Sequence, residues 1–176
     1  MTVDWREGRY DGIALRSSTA ALIARLGPPE RRGSDEPAEP IGEDYYEIGG
    51  PTAFRSPPGG PGDDETLRFE GRTFFTTGDR VSGWLTTSDR AETPEGVGVG
   101  DSNELVEERY PAAECRTANE GSEYPDFPVC EVRVCKGRLL AFGGDPIKSV
   151  WLVAESAAGW GRCMNPVRAE RPESRR

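Results

Sequence analysis

The side chains with the clearest chemical potential are four cysteines, Cys115, Cys130, Cys135 and Cys163, all in the second half of a 176-residue chain without a single histidine. None forms a Cys-x-x-Cys pair, so a four-cysteine zinc site, which takes two close pairs, is not expected. Two disulfides in an exported protein fit the even count; four reduced thiols in a cytosolic protein are the alternative. Four cysteines allow three pairings. The preferred one is Cys115–Cys130, tying a loop to the sheet, with Cys135–Cys163 tying down the tail. Cys130 and Cys135 have opposite parity on one strand and are not expected to bridge each other.

Lack of histidine removes Ser-His-Asp and Cys-His nucleophile systems and the commonest general base. Carboxylates are plentiful, but Asp63-Asp64-Glu65 and Glu107-Glu108 fall on an expected loop and on a solvent-facing helix side. Gly96-x-Gly98-x-Gly100 precedes a helix as phosphate-cradling turns do, yet it lacks the full spacing and a P-loop lysine. No catalytic residue, metal ligand or cofactor is therefore assigned.

Bulk composition narrows the classes further. A net charge of −9 argues against a nucleic-acid binder, which needs a basic face. It favours solubility and leaves room for a basic protein partner. No apolar run approaches the roughly 18–20 residues of a transmembrane helix. The first ten residues contain no signal-peptide core. Disulfide use points to an extracytoplasmic protein whose signal peptide has been removed; a cytoplasmic location is the alternative.

The elements that must position these residues come in two similar sets. Residues 1–11 read as an N-terminal arm. A first unit, 12–89, starts with Ile13 and Leu15, then a helix capped by Ser17 or Ser18 and closed by Gly27-Pro28-Pro29. Residues 30–43 read as a polar loop and Asp44 to Ile48 as a strand. A Pro/Gly-rich flexible insertion spans 51–65. Thr66 to Thr77 is a hairpin about Glu70-Gly71, and Val81 to Ser88 a third strand. After a connector, 90–95, a second unit spans 96–156. Asp101 and Glu104 suit a capping box for its helix, and Pro111 closes it. Residues 112–127 read as irregular. Val129 to Cys135, a Lys136-Gly137 turn and Arg138 to Phe142 form a hairpin, and Ile147 to Glu155 is the last strand. Residues 157–176 are a tail.

Three anchors recur in order between the units: the helix entries, the hairpin turns, and Ser82-Gly-Trp-Leu85 against Ser149-Val-Trp-Leu152. The expected fold class is α+β: two tandem units, each a short helix followed by an antiparallel β-meander, with the helices packed on one sheet face. Strand alternation then puts Trp84 with Ser82 and Thr86, and Trp151 with Ser149, on the opposite, partly wet face, to which Arg138 and Phe142 also belong. These seven residues are the candidate binding surface, because an exposed Trp among hydroxyls offers large contact area at low entropic cost.

Carried by Gly12 to Gly27, Gly96 to Pro111 and the strands after each, this layout resembles the β-lactamase inhibitory protein architecture. It is also similar to the small outer-membrane-assembly lipoproteins of the SmpA/OmlA type, which look like one such unit. The resemblance implies an extracytoplasmic binding protein with a concave sheet face; it names no ligand, and no inhibitory residue is carried over. The functional expectation is a non-enzymatic, inhibitor-like module with an unknown protein partner. The alternatives are a cytosolic immunity-type protein that neutralises a toxin enzyme, and a small carboxylate-dependent hydrolase.

Overall fold

A computed structural model describes residues 3–34, 64–118, 127–135, 137–154 and 163. The chain opens with three two-residue strands, β1 (Val3–Asp4), β2 (Arg9–Tyr10) and β3 (Ile13–Ala14), paired antiparallel as a small sheet. Helix α1 (Thr19–Leu26) follows, and then β4 (Arg31–Ser34), β5 (Asp64–Phe69), β6 (Arg72–Thr77) and β7 (Arg80–Thr86). The second half repeats the plan with α2 (Asn103–Arg109), β8 (Glu114–Ala118), β9 (Phe127–Cys135), β10 (Arg138–Gly144) and β11 (Ile147–Ala154).

Strands β4 to β11 form one antiparallel sheet in the order β4-β5-β6-β7-β11-β10-β9-β8. Read outward from the central β7–β11 pair, each half runs from its last strand to its first. The seam itself pairs Trp84 with Leu152 and Leu85 with Trp151.

These proportions overturn the balanced α+β expectation. The described residues are mostly strand, in sheets of three and eight strands, with only two short helices. The physical reason lies in the N-terminal segment. Residues expected as an arm instead fold as β1–β3 and bury Val3, Trp5 and Tyr10 in the main core. The small sheet thus does part of the covering assigned to helices, and eight- and seven-residue helices suffice. Leu22 of α1 and Val106 of α2 are their buried anchors, set against Phe74, Trp84, Leu140, Phe142, Val150 and Leu152 on the inner face of the large sheet.

Local signals explain most boundaries. Ser18 Oγ caps α1 by accepting from the Ala21 amide at 3.1 Å. In α2 the cap is Ser102, whose Oγ accepts from the Leu105 amide at 3.4 Å, and not Asp101. Asp101 instead accepts from the Gly98 amide at 2.8 Å and so closes the glycine-rich turn ahead of the helix. Gly71, at φ +65°, makes the β5–β6 reversal that a side chain would resist. Two stretches expected as irregular are partly strand: 31–34 becomes β4, and 114–118 becomes β8. The expected strand Asp44 to Ile48, most of the 51–65 insertion, Lys136, and the tail apart from Cys163 lie outside the described residues.

Both disulfides join the expected partners, Cys115 to Cys130 and Cys135 to Cys163. The first links directly opposed residues of β8 and β9. The second ties residue 163 to the end of β9, beside the Val134 carbonyl. Among the described residues, no helix is long and apolar enough to cross a membrane.

Candidate functional site: the outer face of the sheet

The seven residues expected on one wet face are all buried and do not share a face. Trp84 is 0% exposed on the inner side, its indole stacked on Tyr10 with ring centroids 5.0 Å apart. Thr86 is beside it, its hydroxyl 2.8 Å from the Tyr10 hydroxyl. Phe142 and Arg138 also point inward, Phe142 toward Tyr110 at 5.6 Å between centroids. Trp151 and Ser149 lie on the outer side, opposite Ala141 and Gly143.

Ser82 is the cause of the misplacement. On β6, Phe75 pairs with Gly83 and Thr76 with Val81, so Ser82 is an extra, bulged residue. Alternation counted from Val81 is therefore off by one beyond the bulge, and Trp84 turns inward where Leu85 was expected. A second bulge, between Arg138 and Leu139, leaves Val134 outside the register: Arg138 pairs with Cys135 and Leu139 with Arg133. Val132 and Val134 therefore stay in the main core, while Leu139 and Ala141, expected on the same face, do not join them.

The outer face carries a different set. Leu85, Trp151, Ala141, Val129, Val153 and Phe127 form an apolar cluster there, separate from the main core. Gly143 makes this packing possible: a Cβ at that position would lie 2.6 Å from Trp151 Cζ3 and 2.8 Å from Phe127 Cε1. On the other side of the seam a Cβ at Gly83 would lie 2.8 Å from the Leu152 carbonyl oxygen and 3.3 Å from Phe75 Cδ2, so this position too needs glycine. Phe75, Leu85, Trp151 and Phe127 thus make an apolar row across five strands, with Phe75, Leu85 and Phe127 partly exposed. Thr66 and Thr73 border it on β5 and β6, also partly exposed. Sequence reasoning missed this row because its members alternate correctly only once both bulges are known.

At one end of the core, Glu95 collects three donors. Its carboxylate accepts from Trp5 Nε1 at 2.7 Å, from the Tyr110 hydroxyl at 2.6 Å and from Arg6 at 2.8 Å. Arg138 reaches the same region from β10 and donates to the Trp5 and Arg6 carbonyls. With these three donors the Glu95 carboxylate clamps the β1–β2 turn. A shallow cavity of about 230 Å³ lies beside Leu26, Phe69 and Arg72, where Arg72 is already paired with Asp11 at 2.9 Å.

Burial first, then the hydrogen bond to Glu95, holds the Tyr110 phenol well above the ordinary tyrosine range. Burial likewise raises Tyr10. Above a pH of about 10 unfolded tyrosines lose their protons while these two keep them. The unfolded state then binds fewer protons, so stability falls as pH rises past that point. An ultraviolet phenolate titration should show late-titrating members among the five tyrosines, appearing together with loss of near-ultraviolet dichroism. Ionisation of all five near 10 in an intact fold would contradict the burial of this cluster.

No protein-family profile and no curated protein matches the chain. Among solved structures it is similar to an extracellular protein containing a SCP domain from Bacillus anthracis str. Ames, with 11% identity and a TM-score of 0.48. That likeness covers 80% of this chain and 44% of the other, so the chain spans less than half of that protein's length.

Proposed function

We propose that the chain is a non-enzymatic, extracytoplasmic protein-binding module of the inhibitor-like kind, which docks a partner protein on the outer face of its large sheet around Phe75 and Leu85. The observation that carries the reading is the partly exposed apolar row on that face, continuous with the Trp151 cluster and bordered by threonines. Aromatic and aliphatic side chains held on a rigid sheet lose little entropy on binding, and bordering hydroxyls supply hydrogen bonds at the rim. The two disulfides support the compartment, since such bridges form and persist in oxidising surroundings.

The test uses the full chain as bait in the extracellular fluid of its source cells, followed by titration of the purified recovered protein. Phe75→Asp/Leu85→Asp should weaken that binding by more than about tenfold, as loss of a central apolar contact does. Near-ultraviolet dichroism of the variant should stay at the wild-type level. Equal affinity of the two proteins for the recovered partner would sink the proposal.

A further inference from the structure

The two disulfides differ in what they hold. Cys135 is buried at the end of β9, and Cys163 is partly buried against it. Cys115, by contrast, is exposed on β8, and its partner Cys130 is 0% exposed within the core. Among the described residues, strand β8 is the last in the sheet order, bonded to β9 alone.

Little besides the bridge fastens β8. Glu114, Cys115, Arg116 and Thr117 are all exposed, so the strand adds almost no apolar burial. Glu114 stands directly opposite Glu131, a like-charge pairing that weakens an antiparallel ladder. Arg116 answers with an ion pair to Glu131 at 3.2 Å, but that guanidinium is half exposed and such surface pairs contribute little. Among the described residues, what remains is the backbone ladder of one short strand and the covalent link, which closes a loop of 15 residues.

We infer that Cys115–Cys130 is a reducible strap: cutting it lets β8 leave the sheet and turns β9 into an edge strand, open to pairing with an extended segment of another chain. The reductant is a dithiol. Its thiolate attacks the exposed Cys115 Sγ and the S–S bond breaks, with Cys130 departing as a thiolate that is then protonated. The second thiol of the reductant attacks the mixed disulfide and releases Cys115. Two electrons and two protons pass to the protein, and the reductant becomes a disulfide. Released, β8 uncovers a row of backbone donors and acceptors on β9, the template that strand-addition partners use.

The experiment is limited reduction with dithiothreitol, alkylation mapping of the freed thiols, and hydrogen exchange of the same samples. Cys115 and Cys130 should be alkylated before Cys135 and Cys163. Exchange at 114–118, and at the β9 amides that face β8, should then quicken on the order of 100-fold, the equilibrium factor for opening a loop of this length. The β10 and β11 amides should keep their protection. A Cys115→Ser/Cys130→Ala variant should reproduce the pattern without reductant, and Cys135→Ala/Cys163→Ala should not. The inference is overturned if β8 exchanges at the same rate with its bridge cut, if the Cys135–Cys163 bridge opens first, or if β10 and β11 lose protection along with β8.

Discussion

Replacing Trp84 by alanine is expected to destabilise the protein by about 3–5 kcal/mol, the range for deleting a fully buried tryptophan. The side chain is 0% exposed, stacks on Tyr10 and sits in the main core with Phe74 and Leu152. For a chain of this size such a loss lowers the melting temperature by roughly 10 °C or more. Trp84→Phe should be much milder, under about 1.5 kcal/mol. It gives up volume, but it also removes an indole Nε1 that is buried without a hydrogen-bond partner among the described residues. Thermal denaturation of the two variants decides between a core residue and a binding residue. An alanine variant that melts like wild type would show that this tryptophan does not pack as described.

Arg138→Ala is the second large effect, about 3 kcal/mol or more. The guanidinium is 1% exposed and donates to the Trp5 and Arg6 carbonyls across the end of the core. Removing it leaves those carbonyls short of a donor, each worth about 1–3 kcal/mol when buried, and leaves a void the length of an arginine stem. Burial lowers the affinity of this guanidinium for its proton, an effect opposed by the negative charges of Asp4 and Glu7. Arg138→Lys should recover only part of the loss: both bonds leave one nitrogen, Nη1, and an ammonium can likewise donate to two acceptors, but its shorter stem ends before the place where Nη1 stands. The damage should be local as well as global. Hydrogen exchange at residues 3–10 should quicken more than at β6 or β11, and unchanged exchange there would remove Arg138 from its role as a clamp.

Much of the fold could be read in advance wherever a signal was local. Ser18 and Gly27 bounded α1, and Gly71 marked the β5–β6 reversal. The alternating runs of β6, β9, β10 and β11 stand close to where their patterns put them. Strand parity set aside only a Cys130–Cys135 bridge, and the observed pairing is the preferred one of the two that remained. The rest depended on features that leave no periodic trace. Two-residue strands such as β1 and β2 have no pattern to detect, so Val3 and Tyr10 looked like part of an arm when they are core. The single extra residue at Ser82 carries no distinguishing chemistry, yet it reverses every side chain after it in β7. The Ser82 bulge misplaced Trp84 and Thr86, and the faces of the β9–β10 hairpin were misread separately, at the Arg138/Leu139 bulge. Trp84 and Trp151 match in sequence context but pair across the seam with Leu152 and Leu85, which puts them on opposite faces.

The Arg138 clamp also has a temporal side. The hydrogen bond from Arg138 to the Trp5 carbonyl joins groups 133 positions apart. During synthesis at about 5–20 residues per second, the N-terminal hairpin therefore waits roughly 7–27 s for its bonds to Arg138, after those to Glu95 can form. The first half of the large sheet, from β4 to β7, is assembled from neighbours in sequence and has no such delay. Trp5 and Arg6 are thus fully secured later than strands made after them. Trp5 spends that interval without its bond to Arg138, whereas Tyr10 is already covered once Trp84 and Thr86 of β7 are in place.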